Sequence, residues 1–210
     1  MKTTFVLPLL FGCVVGSAAP APPPTQPFEG RTWSASMKRK PTASAMFGKW
    51  LVRFEQTTLP QVLSRASAGA IAHTGDAGES VYWLCYTLPG QKPSRLWVMS
   101  SGEMGGPERA ITGITVAALD PGEPVAECPA LPVHMQPVSL QRNIRIRMSE
   151  GALTRALGTP SHRSGEWISY DFEGKAPGNC PGGFDVMNSL TIKLHQGRVE
   201  AIFANQVTSC

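Results

Sequence analysis

The chain has 210 residues, a formal net charge of +4, 42% hydrophobic residues and 19 prolines. So mild a positive balance, spread without a dense basic stripe, excludes a nucleic-acid binder that works by neutralising phosphates. Beyond residue 15 no stretch is long and apolar enough to span a bilayer as a helix.

Residues 1–19 read as a secretory signal peptide. Lys2 supplies the positive start, residues 5–15 form a short apolar run, and Ser17, Ala18 and Ala19 offer a cleavage site. Leu10, Phe11, Gly12 and Cys13 loosely resemble a bacterial lipoprotein box. The apolar run before Cys13 is short and Val14 and Val15 continue it, which argues against a lipid anchor there. Removing the signal leaves a net charge of about +3, suited to an envelope rich in anionic surfaces. Roughly 190 remaining residues can bury one sizeable core or two small ones. It also leaves Cys85, Cys128, Cys180 and Cys210. An even count in an exported chain implies two disulfides, and no C-x-x-C or Cys/His spacing points to a metal site.

Residues 20–48 are expected to be a flexible arm. It opens with the proline-rich "PAPPPTQP" and carries a basic knot at Lys38, Arg39 and Lys40, read as a solvated tail. Order is expected from about Trp50. Residues 49–128 form the first expected helix-plus-sheet unit. Thr58, Leu59, Pro60 and Gln61 make a capping box with proline in the first turn, and Leu59, Val62, Leu63 and Ala66 share one helical face. "ESVYWLCYTLPG" and "RLWVMSSGEMGGPERAITGITVAAL" supply three strands, and the proline-marked residues 120–137 join the two halves.

Residues 129–210 repeat the plan. Ile144, Ile146 and Met148 alternate with Arg145 and Arg147, predicting an extended lead-in. Ser149 caps a helix whose apolar face is Met148, Ala152, Leu153, Ala156 and Leu157. Gly158 and Pro160 end it. A helix this short must lean on a sheet. Residues 166–172 and 190–194 alternate as strands, "HQGR" is a hairpin turn, and residues 199–207 return. The expected fold is α+β: two tandem units of a short helix on a three- to four-stranded antiparallel sheet, after a disordered proline-rich arm.

The segment "MSEGALTRALGTPSHRSGEWISYDF", followed by "SLTIKLHQGRVEAI", resembles the SmpA/OmlA (BamE-like) family of small outer-membrane proteins. The likeness covers about 60 residues well and about 70 more weakly. Two such units in tandem, each with a disulfide, resemble the β-lactamase inhibitory proteins. Arg147 stands where the family usually has a glycine, and its two-helix start is not clear in either copy. The resemblance implies a fold and a habit of binding other proteins, not a particular partner.

Chemistry-bearing candidates are sparse. His73, His134, His162 and His195 have no metal-ligand spacing and read as structural. Ser100, Ser101 and Gly102 lack the G-x-S-x-G elbow. "GEMGGPE" lies between strands and so lacks the helix N-terminus of a phosphate site. Glu103 and Glu108, on that loop, read as solvated charges rather than an acid/base pair. The strand aromatics are more informative. Tyr82, Trp97, Trp167 and Tyr170 are the candidate protein-binding residues, with Trp97 and Trp167 turned away from the helices as anchors. The competing reading makes these rings the packing between the two units.

In a three-strand meander the first and third strands run the same way, so the end of the third meets the turn after the first. This places Cys85 with Cys128 and Cys180 with Cys210. The expected function is an exported, non-enzymatic protein-binding module of the bacterial periplasm or cell exterior, with inhibition of an enzyme there as its specific form. No cofactor or metal is expected. An envelope-assembly or structural accessory protein is the alternative, and a hydrolase with an unrecognised site a further one.

Overall fold

The computed structural model describes residues 20–25, 36–76, 79–90, 92–101, 105–106, 108–119 and 128–210. The signal, Cys13 and Glu103 lie outside them. In chain order the elements are β1 (Ser44–Phe47), β2 (Trp50–Arg53), α1 (Leu59–Ala66), β3 (Ala72–Thr74), β4 (Val81–Leu88), β5 (Ser94–Ser101) and β6 (Gly113–Ala118). There follow β7 (Val138–Leu140), α2 (Glu150–Leu157), β8 (His162–Ser164), β9 (Trp167–Ala176), β10 (Phe184–His195) and β11 (Arg198–Ser209).

Eight strands form one antiparallel sheet in the order β3-β4-β5-β6-β11-β10-β9-β8. A second, three-stranded sheet has the order β2-β1-β7. This corrects the expectation of two helix-on-sheet units in tandem. The chain is mostly sheet, with two short α-helices among the described residues. The two meanders are fused where β6 pairs with β11, from Ala117 opposite Ala201 to Gly113 opposite Asn205. Joining them removes two open strand edges, each of which would otherwise expose a row of unpaired backbone groups.

One apolar core runs the length of the inner face. It links Leu59 and Val62 of α1 through Leu84, Leu96, Ile114, Ile202, Leu190 and Ile168 to Leu153 and Leu157 of α2. The small sheet adds Phe47, Val52 and Leu140 to the same core. For its described residues the expected disordered arm is corrected as well, while residues 26–35 of it lie outside them. Ala45 and Phe47 alternate as buried residues in β1, and Ala21 is 5% exposed. Thr42 is anchored to Asn188, whose side-chain oxygen accepts from the Thr42 N–H at 3.3 Å and whose amide donates to the Thr42 carbonyl at 2.6 Å.

α1 starts as its sequence requires. The Thr58 hydroxyl accepts from the Gln61 N–H and the Gln61 side chain accepts from the Thr58 N–H, closing the capping box. α2 is capped by the Ser149 hydroxyl, which accepts from the Ala152 N–H, and ends at Gly158 with φ of 85°. The expected extended lead-in at residues 144–148 is instead a bridge and a turn. Ile144 pairs with Leu140, and Arg147 adopts a left-handed φ of 69° that breaks the alternation.

Candidate functional site

Alternation along each strand divides the large sheet into two faces. Leu84 and Tyr86 point to the helices, so Trp83, Cys85 and Thr87 point away. Register carries that outer face across the sheet. Trp97 lies opposite Cys85 on one side and Thr115 on the other, Thr115 opposite Phe203, and Phe203 opposite Thr191. One row along, Arg95, Ala117, Ala201 and Lys193 lead to Trp167. This face, which no helix of the described residues covers, therefore carries Trp83, Trp97, Phe203 and Trp167. The Trp167 and Phe203 rings lie 5.8 Å apart.

Trp83 and Trp97 form a cleft with an occupant. Both indole N–H groups donate to one oxygen, the carbonyl of Ala21, each at 3.0 Å. Around them lie Cys85, Cys128, Ala72, Val81, Met99 and Ala117, a second apolar cluster separate from the main core. An indole N–H has no acceptor capacity, so a buried one requires an oxygen. Both tryptophans are 5% exposed, and Ala21 supplies that oxygen to both. The floor of the cleft is fixed by the Cys85–Cys128 disulfide, with Cα atoms 5.3 Å apart. The second disulfide, Cys180–Cys210, joins the loop before β10 to the residue after β11 at 5.5 Å. Both pairings match the meander geometry expected from the sequence.

The four candidate aromatics do not form one surface. Trp97 is on the outer face but buried under Ala21, and Trp167 is half-buried on the same face. Tyr170 points to the core and is fully buried. Tyr82 also faces the helix side, half-buried, with His73 stacked at 4.3 Å and the Arg109 guanidinium 4.3 Å from its ring. The reason is parity. In β4 and β9 the tyrosines occupy the even positions of Leu84 and Ile168, not the odd positions of the tryptophans. Met187, 39% exposed, and Glu173, exposed and directly opposite it, extend the outer face toward its far end.

The histidines are scattered. His73 meets Ser80 Oγ at 3.4 Å, His134 meets the Arg65 carbonyl at 3.3 Å, and His195 meets Glu166 at 3.4 Å. His162 begins β8 opposite Ser169. Among the described residues no group of three His, Cys, Asp or Glu side chains is placed to hold a metal. Glu108 is exposed. Burial pushes the Tyr86 phenol up to about 12. Tyr170 is also raised, first by burial, with Arg163 opposing and Glu150 adding to the shift.

Sequence reasoning overlooks Trp83 and Ala21 as site residues. The available signal is the coexistence of a proline-rich segment with tryptophans at odd positions of adjacent strands, the chemistry of aromatic grooves that hold extended proline-rich chains. No family model, no curated protein and no solved structure matches this chain. No helix among the described residues is long and apolar enough to cross a membrane.

Proposed function

We propose that this is an exported protein that acts by binding another protein through the helix-free face of its large sheet. The observation that carries the reading is the concentration of large rings on that face. Trp83, Trp97 and Phe203, each 5% exposed, and the half-buried Trp167 sit where an antiparallel sheet places polar residues when that face is open to water. Tryptophans dominate binding energy where they fill desolvated sites. The two disulfides fit a non-cytoplasmic compartment. The signal-like start points further, to the periplasm or the exterior. The resemblance of residues 148–172 and 189–202 to BamE-like proteins agrees with binding rather than turnover, and occlusion of an enzyme is the sharper form of the reading.

Site-specific photocrosslinking tests it. A photoreactive residue at Met187 or Glu173, both exposed on the outer face, should give discrete adducts in an envelope fraction. The same residue at Gln61 on α1 or Arg155 on α2, also exposed, should not. Adducts from the helix positions alone, or equal adducts from all four, would overturn the choice of face.

A further inference from the structure

We infer that the Trp83/Trp97 cleft is a receptor for an extended proline-rich segment, that residues 20–25 of the same chain are its resident occupant, and that a proline-rich segment of a partner protein takes their place. This rests on the outer face being the working surface.

The occupant reads "PAPPPT". Residues that precede proline are confined to extended conformations, so Ala21, Pro22 and Pro23 are pre-set before docking. Such a segment loses little entropy on binding, which is why aromatic grooves recognise it. The accepting carbonyl belongs to the Ala21–Pro22 amide, which has no N–H and offers only an acceptor. Two donors converging on that oxygen, with a small side chain buried beneath, select a small residue followed by proline. Ala21 is buried, Pro23 half-buried, and Pro22 and Pro24 are exposed, so contact falls on alternate residues.

The hold is local and exchangeable. The two indole hydrogen bonds to Ala21 hold the arm in the cleft, and ten residues separate Thr25 from Ser36, where the chain is again described. At Ser36 and Met37 the backbone N–H groups donate to the Asp171 carbonyl of β9, so the arm is tethered even when the cleft empties. A partner displaces it by presenting a longer proline-rich run or a second contact on the same face. Without either ligand, two buried indole N–H groups lose their acceptor and the surrounding apolar cluster opens to water.

The test uses the disulfide-bonded chain starting at Pro20 and an acetylated, amidated PAPPPT peptide. Ala21→Glu places a charge in the apolar cleft and expels the arm. That variant should bind the peptide at least tenfold more tightly than the parent, with the indole N–H resonances of Trp83 and Trp97 moving on titration. Pro22, Pro23 and Pro24 replaced together by serine should act in the same direction. A peptide with all four prolines changed to serine should bind at least tenfold more weakly. Trp97→Phe in the Ala21→Glu background keeps a ring but removes one donor, and should weaken the peptide at least tenfold. Equal affinity in the parent and both arm variants, or indifference to proline in the peptide, would overturn the proposal. A concentration-dependent dimer lost in Ala21→Glu would show a second copy supplying the arm and overturn the assignment within one chain. Photocrosslinks from Met187 and Glu173 that persist despite failed peptide binding would sink the cleft and leave the protein-binding reading standing.

Discussion

Tyr86 shows how one buried polar group ties the chain together and makes it pH-sensitive. Its ring is fully buried in the main core, and its hydroxyl donates to the Ala68 carbonyl at 3.1 Å, just past α1. The ordinary phenol titrates near 10, whereas burial pushes this one up to about 12. Below pH 10 the phenol is protonated in folded and unfolded chains alike. Between pH 10 and 12 the unfolded chain releases the proton while the folded chain keeps it, so stability falls as pH rises. Two pKa units correspond to about 3 kcal/mol lost across that window. Tyr86→Phe should cost about 1 kcal/mol at pH 7 for the missing hydrogen bond. It should also flatten the decline of urea midpoints between pH 10 and 12. The decline does not vanish, because Tyr170 is shifted in the same direction. An unchanged alkaline slope in the variant would refute this role.

At the scale of single elements the sequence is most legible where local chemistry decides. Thr58 and Gln61 announce the start of α1, Gly158 the end of α2, and "HQGR" the hairpin between β10 and β11. Thr58→Ala removes the cap on Gln61 and should lower stability by about 1 kcal/mol, read as a fall of about 2–4 °C in melting temperature. Thr58→Ser should restore most of it, and failure of that rescue would point to the Thr58–Ala110 bridge rather than the cap. The strands with clean alternation were equally legible, and with them the two disulfides. Legibility fails where an element depends on distant partners. β1 and β2 are four residues each, and β7 is three. They exist because Phe47, Val52 and Leu140 find one core, which no local period reveals. The Ile144–Ile146–Met148 alternation has the opposite fault: its period is that of a strand, but the left-handed backbone at Arg147 turns the chain out of register. For the candidate site, period 2 correctly turns Trp97 and Trp167 away from the helices. It is blind to the arm that covers Trp97, because a cover 76 residues away in sequence leaves no mark on the strand.

For the whole molecule the decisive contact is the one between β6 and β11. Alternation reports which side of a strand is buried, not which strand lies beside it, and so two independent sheets and one fused sheet share the same pattern. In the fused sheet the core is continuous, and thermal unfolding should be a single transition by both circular dichroism and calorimetry. Gly113 probes that junction directly. It pairs with Asn205 and with Met99, and a Cβ added there would lie 2.3 Å from the Asn205 side-chain oxygen, 3.1 Å from the Met99 methyl and 3.3 Å from the Ala204 carbonyl. The methionine can swing aside, but the Ala204 carbonyl belongs to the neighbouring strand and yields only if the two strands part. Gly113→Val should therefore cost about 1–3 kcal/mol by overpacking, a fall of several degrees at about 2–4 °C per kcal/mol. Because the strain falls on the strand pair that joins both halves, the transition should move down as a whole while staying single. Two resolved transitions in the parent protein would mean that the halves fold separately. A variant in which only one of two transitions moves would place the strain in one meander and deny the junction its structural role.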